Sequence, residues 1–95
     1  MDETTQTRLK RLRMRAWHRG TKEMDIILGH FADDRLDALS PDDVELFDAL
    51  LAENDHDLYQ WVTRQMTPPA RYAAMIDTVA THAHARLVAG PNPAI

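Results

Sequence analysis

The sequence predicts an all-α fold: a compact five-helix bundle forming a single small domain over residues 1–95, with an ordered core from about residue 5 to 89 and an extended tail at 90–95. Three observations carry this prediction. Apolar residues recur at three- and four-residue intervals, no segment alternates like a strand over a useful length, and start and stop signals cut the chain into segments of helical length. No self-repeat of solenoid length is evident.

The first helix runs from about Thr5 to His18, with Leu9, Leu12 and Ala16 at helical spacing and basic residues on the other faces. Gly20 is placed to end it in the left-handed cap position, and Thr21 or Gly20 itself caps the second helix, with Glu23 and Asp25 in a first turn where carboxylates suit the dipole. The other reading is one bent helix, in which Arg19 and Glu23 form an i,i+4 pair. Met24, Ile27, Leu28 and Phe31 make the apolar stripe of helix two, which runs to about Asp33 or Asp34. Gly29 within it costs about 1 kcal/mol relative to alanine, which implies a close helix contact.

Ser40, Pro41, Asp42 and Asp43 give a clear start to helix three: an N-cap, a proline at the first helical position, and two carboxylates at the positive end of the dipole. Val44, Phe47, Leu50 and Leu51 face inward, and the pattern fades near Asn54. Asp55 or Asp57 can cap a short fourth helix in which Leu58, Trp61 and Val62 point inward and Tyr59 sits at the rim, until Thr67-Pro68-Pro69 closes it. The last helix spans about Pro69 or Ala70 to Ala89 and presents Tyr72, Met75, Ile76, Val79, Ala83 and Leu87; Gly90 ends it.

A chain of 95 residues supports one core and buries roughly 60 to 65% of its unfolded surface. With no cysteine, no disulfide or thiolate zinc site reinforces that core. No apolar run approaches the roughly 20 residues a bilayer span needs, so no membrane insertion is expected. Net charge is −4, but the signs are segregated: Arg8, Lys10, Arg11, Arg13, Arg15, Arg19 and Lys22 hold most of the positive charge, and most carboxylates fall between Glu23 and Asp57. The expected molecule is dipolar, which favours steered encounter with a partner.

Several chemistries are set aside. Arginines along the first helix suit phosphate contacts, yet the overall acidity and the lack of a helix-turn-helix pattern oppose a nucleic-acid partner. His82 and His84, two apart on a helix, diverge by about 200° and belong to no zinc motif, so no metal site is expected. No nucleophile–base ordering or glycine-rich phosphate loop is present, and exposed carboxylates do not suit acid–base work; no catalytic residue is assigned.

What remains is the junction of the first two helices, Trp17-His18-Arg19-Gly20-Thr21-Lys22-Glu23-Met24-Asp25. An arginine, a residue without a side chain and a carboxylate stand within five positions, which suits close approach of a partner with two opposite charges fixing its orientation. Arg19, Gly20, Glu23, His18 and Asp25 are therefore the candidate partner-binding residues. The same string also reads as a helix terminator flanked by a surface ion pair worth 0 to about 1 kcal/mol.

The run Arg19 to Asp25, then Leu28-Gly29-His30-Phe31-Ala32, Leu39-Ser40, Leu50-Leu51 and Asp57-Leu58-Tyr59-Gln60-Trp61, resembles in order and spacing the succinate dehydrogenase FAD assembly factor family, also called succinate dehydrogenase assembly factor 2 or the bacterial flavinylation factor. The resemblance covers about Arg8 to Met66 and weakly includes the Gly90-Pro91 to Ala94-Ile95 end. It implies a five-helix assembly factor or chaperone that binds the flavoprotein subunit of succinate dehydrogenase, with fumarate reductase as a further client left open. It also implies that the factor promotes covalent attachment of FAD to a histidine of that subunit while holding no cofactor stably itself, and that Arg19, Gly20 and Glu23 form the functional surface. His18 stands where the family commonly has a second basic residue, and Thr21 where it commonly has methionine.

Two further expectations follow. The Arg8–Arg19 stretch is arginine-rich like a mitochondrial presequence, but Asp2 and Glu3 precede it and it runs straight into the central motif, so a bacterial cytoplasm is the expected location. The competing function is a small regulatory or antitoxin-like protein that binds another protein or nucleic acid through its basic first helix; such nucleic-acid binding would fall steeply with salt.

Overall fold

The computed structural model of the chain describes residues 4–89. Helix α1 spans Thr5–Trp17, and the side chain of Thr4 caps it by accepting the Thr7 N–H. The helix ends one residue before the expected His18, which takes the C-cap position and donates its N–H to the Arg15 carbonyl. Gly20 was expected to end the helix in the left-handed region; it does not occupy that region and lies beyond the helix end. Carboxylates replace the glycine cap: Asp25 accepts the Arg19 N–H, and Asp55 accepts the N–H groups of Gly20 and Thr21. With its turn amides satisfied from side chains, the corner needs no left-handed residue.

Helix α2 (Lys22–Arg35) starts at Thr21, whose hydroxyl accepts the Met24 N–H at 3.3 Å. The two helices are thus separate, and the bent-helix alternative does not hold. The α2 helix tightens into a 3-10 turn at Leu36–Ala38, so helical structure continues past the expected Asp34 and the apolar stripe gains the buried Leu36. It lies against α1 and against the fourth and fifth helices. Its Met24, Leu28, Phe31 and Ala32 are fully enclosed, each large side chain contributing about 1.5–3 kcal/mol on burial. Gly29 faces Trp17 so closely that a Cβ there would lie 2.3 Å from the indole. The indole N–H donates to Asp33 at 3.2 Å, and the His30 ring meets the indole edge-on at 5.0 Å.

Helix α3 (Pro41–Leu50) begins as the sequence indicated, with the Ser40 side chain accepting the Asp43 N–H at 3.1 Å. Helix α4 (Asp55–Val62) is capped by Asn54, which accepts the Asp57 N–H at 2.9 Å. Neither Asp55 nor Asp57 is the cap, so Asp55 at the first helical position is released for the corner. The α4 helix closes with Arg64 at φ 64°, where the Gln65 N–H reaches back to the Gln60 carbonyl at 2.8 Å and the Arg64 N–H to Trp61 at 3.2 Å. This is a Schellman closure built on an arginine, and the Arg64 guanidinium is anchored by Asp77 at 3.0 Å.

A 3-10 turn, Ala70–Tyr72, leads into α5 (Ala73–Ala89), so the last helix begins in the tighter form rather than directly as α-helix. Tyr72, Met75, Ile76 and Val79 are buried as expected. Leu87 is 81% exposed, contrary to expectation. It shares the face of Ile76, but among the described residues the last buried side chain of α5 is His82, whose Nε2 sits 2.7 Å from the Asp34 carboxylate, with Arg86 3.5 Å from that same carboxylate. The buried His82 also stands edge-on to Phe31 at 5.5 Å, and Phe31 meets Phe47 at 5.7 Å, joining α2, α3 and α5. The expected stop at Gly90 and the extended tail at 91–95 lie outside the described residues.

Three arginines of the basic stretch are paired in space with carboxylates of the acidic one. Arg8 donates to Glu45 at 2.8 Å and Asp48 at 3.0 Å, Arg15 reaches Asp48 at 2.7 Å, and Arg13 reaches Asp37 at 3.2 Å. The hydrogen bond from Arg15, seconded by Arg8, holds the Asp48 carboxyl below the usual range in spite of partial burial, and Arg8 does the same for Glu45.

Candidate functional site

The corner between α1 and α2 has an inner and an outer layer. The inner layer is a clasp. Arg19 donates its Nε–H to Asp55 at 2.8 Å, one terminal nitrogen to the Leu51 carbonyl at 2.6 Å and the other to the Glu53 carbonyl at 2.7 Å. Its side chain is 10% exposed and that of Asp55 is 13% exposed. Three of the five guanidinium donors are thus committed, and they tie the α1–α2 corner to the unsatisfied carbonyls after α3 and the first turn of α4. Asp55 closes the clasp from the other side, since one oxygen takes the arginine while the other takes the Gly20 and Thr21 amides. Asp25, half-buried, is turned back onto the Arg19 amide.

Glycine at position 20 follows from this geometry. A Cβ there would lie 2.7 Å from the Asp55 carboxylate, so any larger residue pushes the carboxylate off the amides it holds. The reason for the glycine is thus first internal, and its backbone remains exposed on the other side.

The outer layer consists of His18, Gly20 and Glu23, all exposed. The side chains of His18 and Glu23 make no hydrogen bond or ion pair among the described residues. Of the five candidate residues, then, Arg19 and Asp25 serve the fold and His18, Gly20 and Glu23 face outward. The Arg19–Glu23 pair that the bent-helix reading would make is not seen: the partner of Arg19 is Asp55. Sequence reasoning missed Asp55 because the pair is separated by 36 positions, and a non-local partner leaves no periodic trace. A shallow groove beside the corner, of about 340 Å³, is lined by Thr21, Glu23, Asp55, His56 and Tyr59, and on the far side another of about 410 Å³ is lined by Arg11, Met14, Arg15, His18 and Arg19.

Among the described residues no cluster of His, Asp and Glu is arranged to hold a metal ion, and no helix is long and apolar enough to cross a membrane. The chain is a small all-α bundle whose α1–α2 corner is held by the Arg19–Asp55 pair. Residues 10–83 match the family described as Flavinator of succinate dehydrogenase, and the chain belongs to that family.

Relatives named succinate dehydrogenase assembly factor 2, mitochondrial, agree with this. The protein from Mycosarcoma maydis is 38% identical over 87 residues, 92% of this chain and 36% of the relative. That from Cryptococcus neoformans is 39% identical over 70 residues, 74% of this chain and 40% of the relative. That from Meyerozyma guilliermondii is 40% identical over 62 residues, 65% of this chain and 46% of the relative. The chain therefore spans less than half the length of these relatives. They are named as assembly factors and not as catalysts, and their names speak of succinate dehydrogenase and not of fumarate reductase. One expectation is overturned: these fungal relatives are named mitochondrial, which conflicts with a bacterial cytoplasmic location.

Proposed function

We propose that this protein binds the flavoprotein subunit of succinate dehydrogenase through the outer layer of the α1–α2 corner and promotes covalent attachment of FAD to that subunit, holding no cofactor stably itself. The observation that carries the reading is the division of labour at the corner: Arg19 and Asp55 are locked together at 2.8 Å while Glu23 and the Gly20 backbone stay exposed. A surface whose backbone is fixed in advance loses little conformational freedom on binding, which favours affinity at a small interface.

Covalent flavinylation requires a histidine nitrogen held against a ring-methyl carbon of the flavin while negative charge builds on the ring. Holding such groups in line is worth several kcal/mol without any catalytic side chain from the factor. A docking protein supplies this by binding the reactive conformation of its client more tightly than others. Glu23 offers a carboxylate for a cationic group of the client, and Gly20 lets the client's backbone come close.

The rival reading, nucleic-acid binding through α1, is opposed by the carboxylates that occupy Arg8, Arg13 and Arg15. The test is to express the flavoprotein with and without this protein and to read in-gel flavin fluorescence of the denatured large subunit. Fluorescence that depends on this protein is expected; equal fluorescence in its absence overturns the proposal.

A further inference from the structure

The two tyrosines of the chain stand in opposite circumstances. Tyr72 is buried, its hydroxyl donates to Glu53 at 3.0 Å, and the Arg71 guanidinium lies over its ring, 4.5 Å from the centroid. Cation, ring and carboxylate are thus brought together there by the fold itself. Tyr59, on α4, is 39% exposed, and its hydroxyl has no partner among the described residues. It lines the groove of about 340 Å³ together with Thr21, Glu23, Asp55 and His56. Asp55 offers no charge to a visitor, because Arg19 and the corner amides hold both its oxygens. Glu23 does offer one: its side chain makes no hydrogen bond or ion pair among the described residues, and no lysine or arginine lines the groove. The groove therefore repeats the ring and the carboxylate of the Tyr72 site and lacks the cation.

We infer that this groove receives one arginine side chain of the flavoprotein, its guanidinium stacked on Tyr59 and paired with Glu23, which makes Tyr59 a partner-binding residue outside the α1–α2 corner. The inference rests on the proposed function and names the client group that Glu23 meets. Size limits the occupant first. A hollow of about 340 Å³ lies at the small end of the roughly 300–1,000 Å³ usual for ligand pockets, so it takes a single long side chain rather than a helix. Charge and shape then select among side chains. A lone exposed carboxylate holds a cation only weakly, and an aromatic ring in the same groove adds a second attraction for the same charge. The planar guanidinium suits both at once, since its face lies on the ring while its edge N–H groups reach the carboxylate. A lysine ammonium has no face to stack and makes the poorer occupant.

The test measures binding of the purified flavoprotein subunit to full-length variants of this chain. Tyr59→Leu, which removes the ring, is expected to weaken binding about tenfold, whereas Tyr59→Phe, which keeps the ring and removes only the hydroxyl, is expected to stay within about twofold of the parent. Glu23→Gln combined with Tyr59→Leu is expected to lose less than the product of the two single losses, because both variants release the same client group. A photo-crosslinking amino acid at position 56, which leaves Glu23 and Tyr59 in place, is expected to join the groove to a flavoprotein peptide that contains an arginine. Replacing that arginine by glutamine in the client then reproduces the loss. Parental binding by Tyr59→Leu, equal losses in the two Tyr59 variants, or a joined peptide without arginine overturns the inference and leaves the proposed function standing. If the parent protein fails to bind the flavoprotein at all, both fall together.

Discussion

Gly20 and Gly29 lie nine positions apart, and at each an added Cβ meets an obstacle, but the obstacles differ in kind. At Gly29 it is the Trp17 indole, a rigid ring pinned by its hydrogen bond to Asp33, inside the α1–α2 contact. At Gly20 it is the Asp55 carboxylate, the end of a short side chain at the edge of solvent. One glycine serves packing, and the other makes room for a polar clasp whose outer side is free. The difference teaches that exposure and functional availability are separate properties at this corner: Arg19 belongs to the motif and is nearly enclosed, whereas Glu23 belongs to it and is open.

The largest stability effect is expected from the clasp itself. Arg19→Ala removes three hydrogen bonds and leaves Asp55 largely buried without its cation, which costs about 3 kcal/mol. For a domain of this size that is a fall in Tm of about 12 °C or more, read by circular dichroism. Arg19→Ala will therefore lose stability and docking together, so it does not separate the two roles.

Gly29→Ala comes next. It gains about 1 kcal/mol of helix propensity but drives a methyl into the indole, so a net loss of about 1–2 kcal/mol is expected, with altered Trp17 fluorescence. Gly20→Ala is expected to cost less, about 1 kcal/mol, because the carboxylate can swing toward water. If Gly20→Ala proves the more damaging of the two to stability, the contrast between the glycines is wrong.

Acid should act on the α1 face rather than on either glycine. Asp48 and Glu45 have folded-state pKa values below their unfolded values, so their contribution to stability is fully present above about pH 4–5. It is lost as pH falls through the depressed folded values. Thermal scans below pH 5 should show stability declining with acid, and Asp48→Asn should flatten that decline.

Much of the fold could be read locally. The Ser40-Pro41 start, the α2 stripe of Met24, Leu28 and Phe31, and the close contact at Gly29 follow from spacing and capping chemistry, which act within a few residues. The failures are also physical. Leu87 has the right period but lies past His82, the last buried side chain among the described residues of α5, and periodicity does not report how far a core extends. Asn54 outcompetes Asp55 for the α4 cap because Asp55 is drawn to Arg19 and the corner amides, a tertiary demand that no local window contains. At the site, the string from His18 to Asp25 marked the right place, but which of its residues face outward depended on a partner 36 positions away.

The central claim is that the open side of the corner meets the client while the clasp only holds its shape. Glu23→Ala tests it most directly, because the Glu23 side chain makes no hydrogen bond or ion pair among the described residues. Stability within about 0.5 kcal/mol of the parent is expected, together with loss of flavoprotein capture and of covalently bound flavin in the same preparation. A Glu23→Ala protein that captures and loads its client at the parental level would contradict the account.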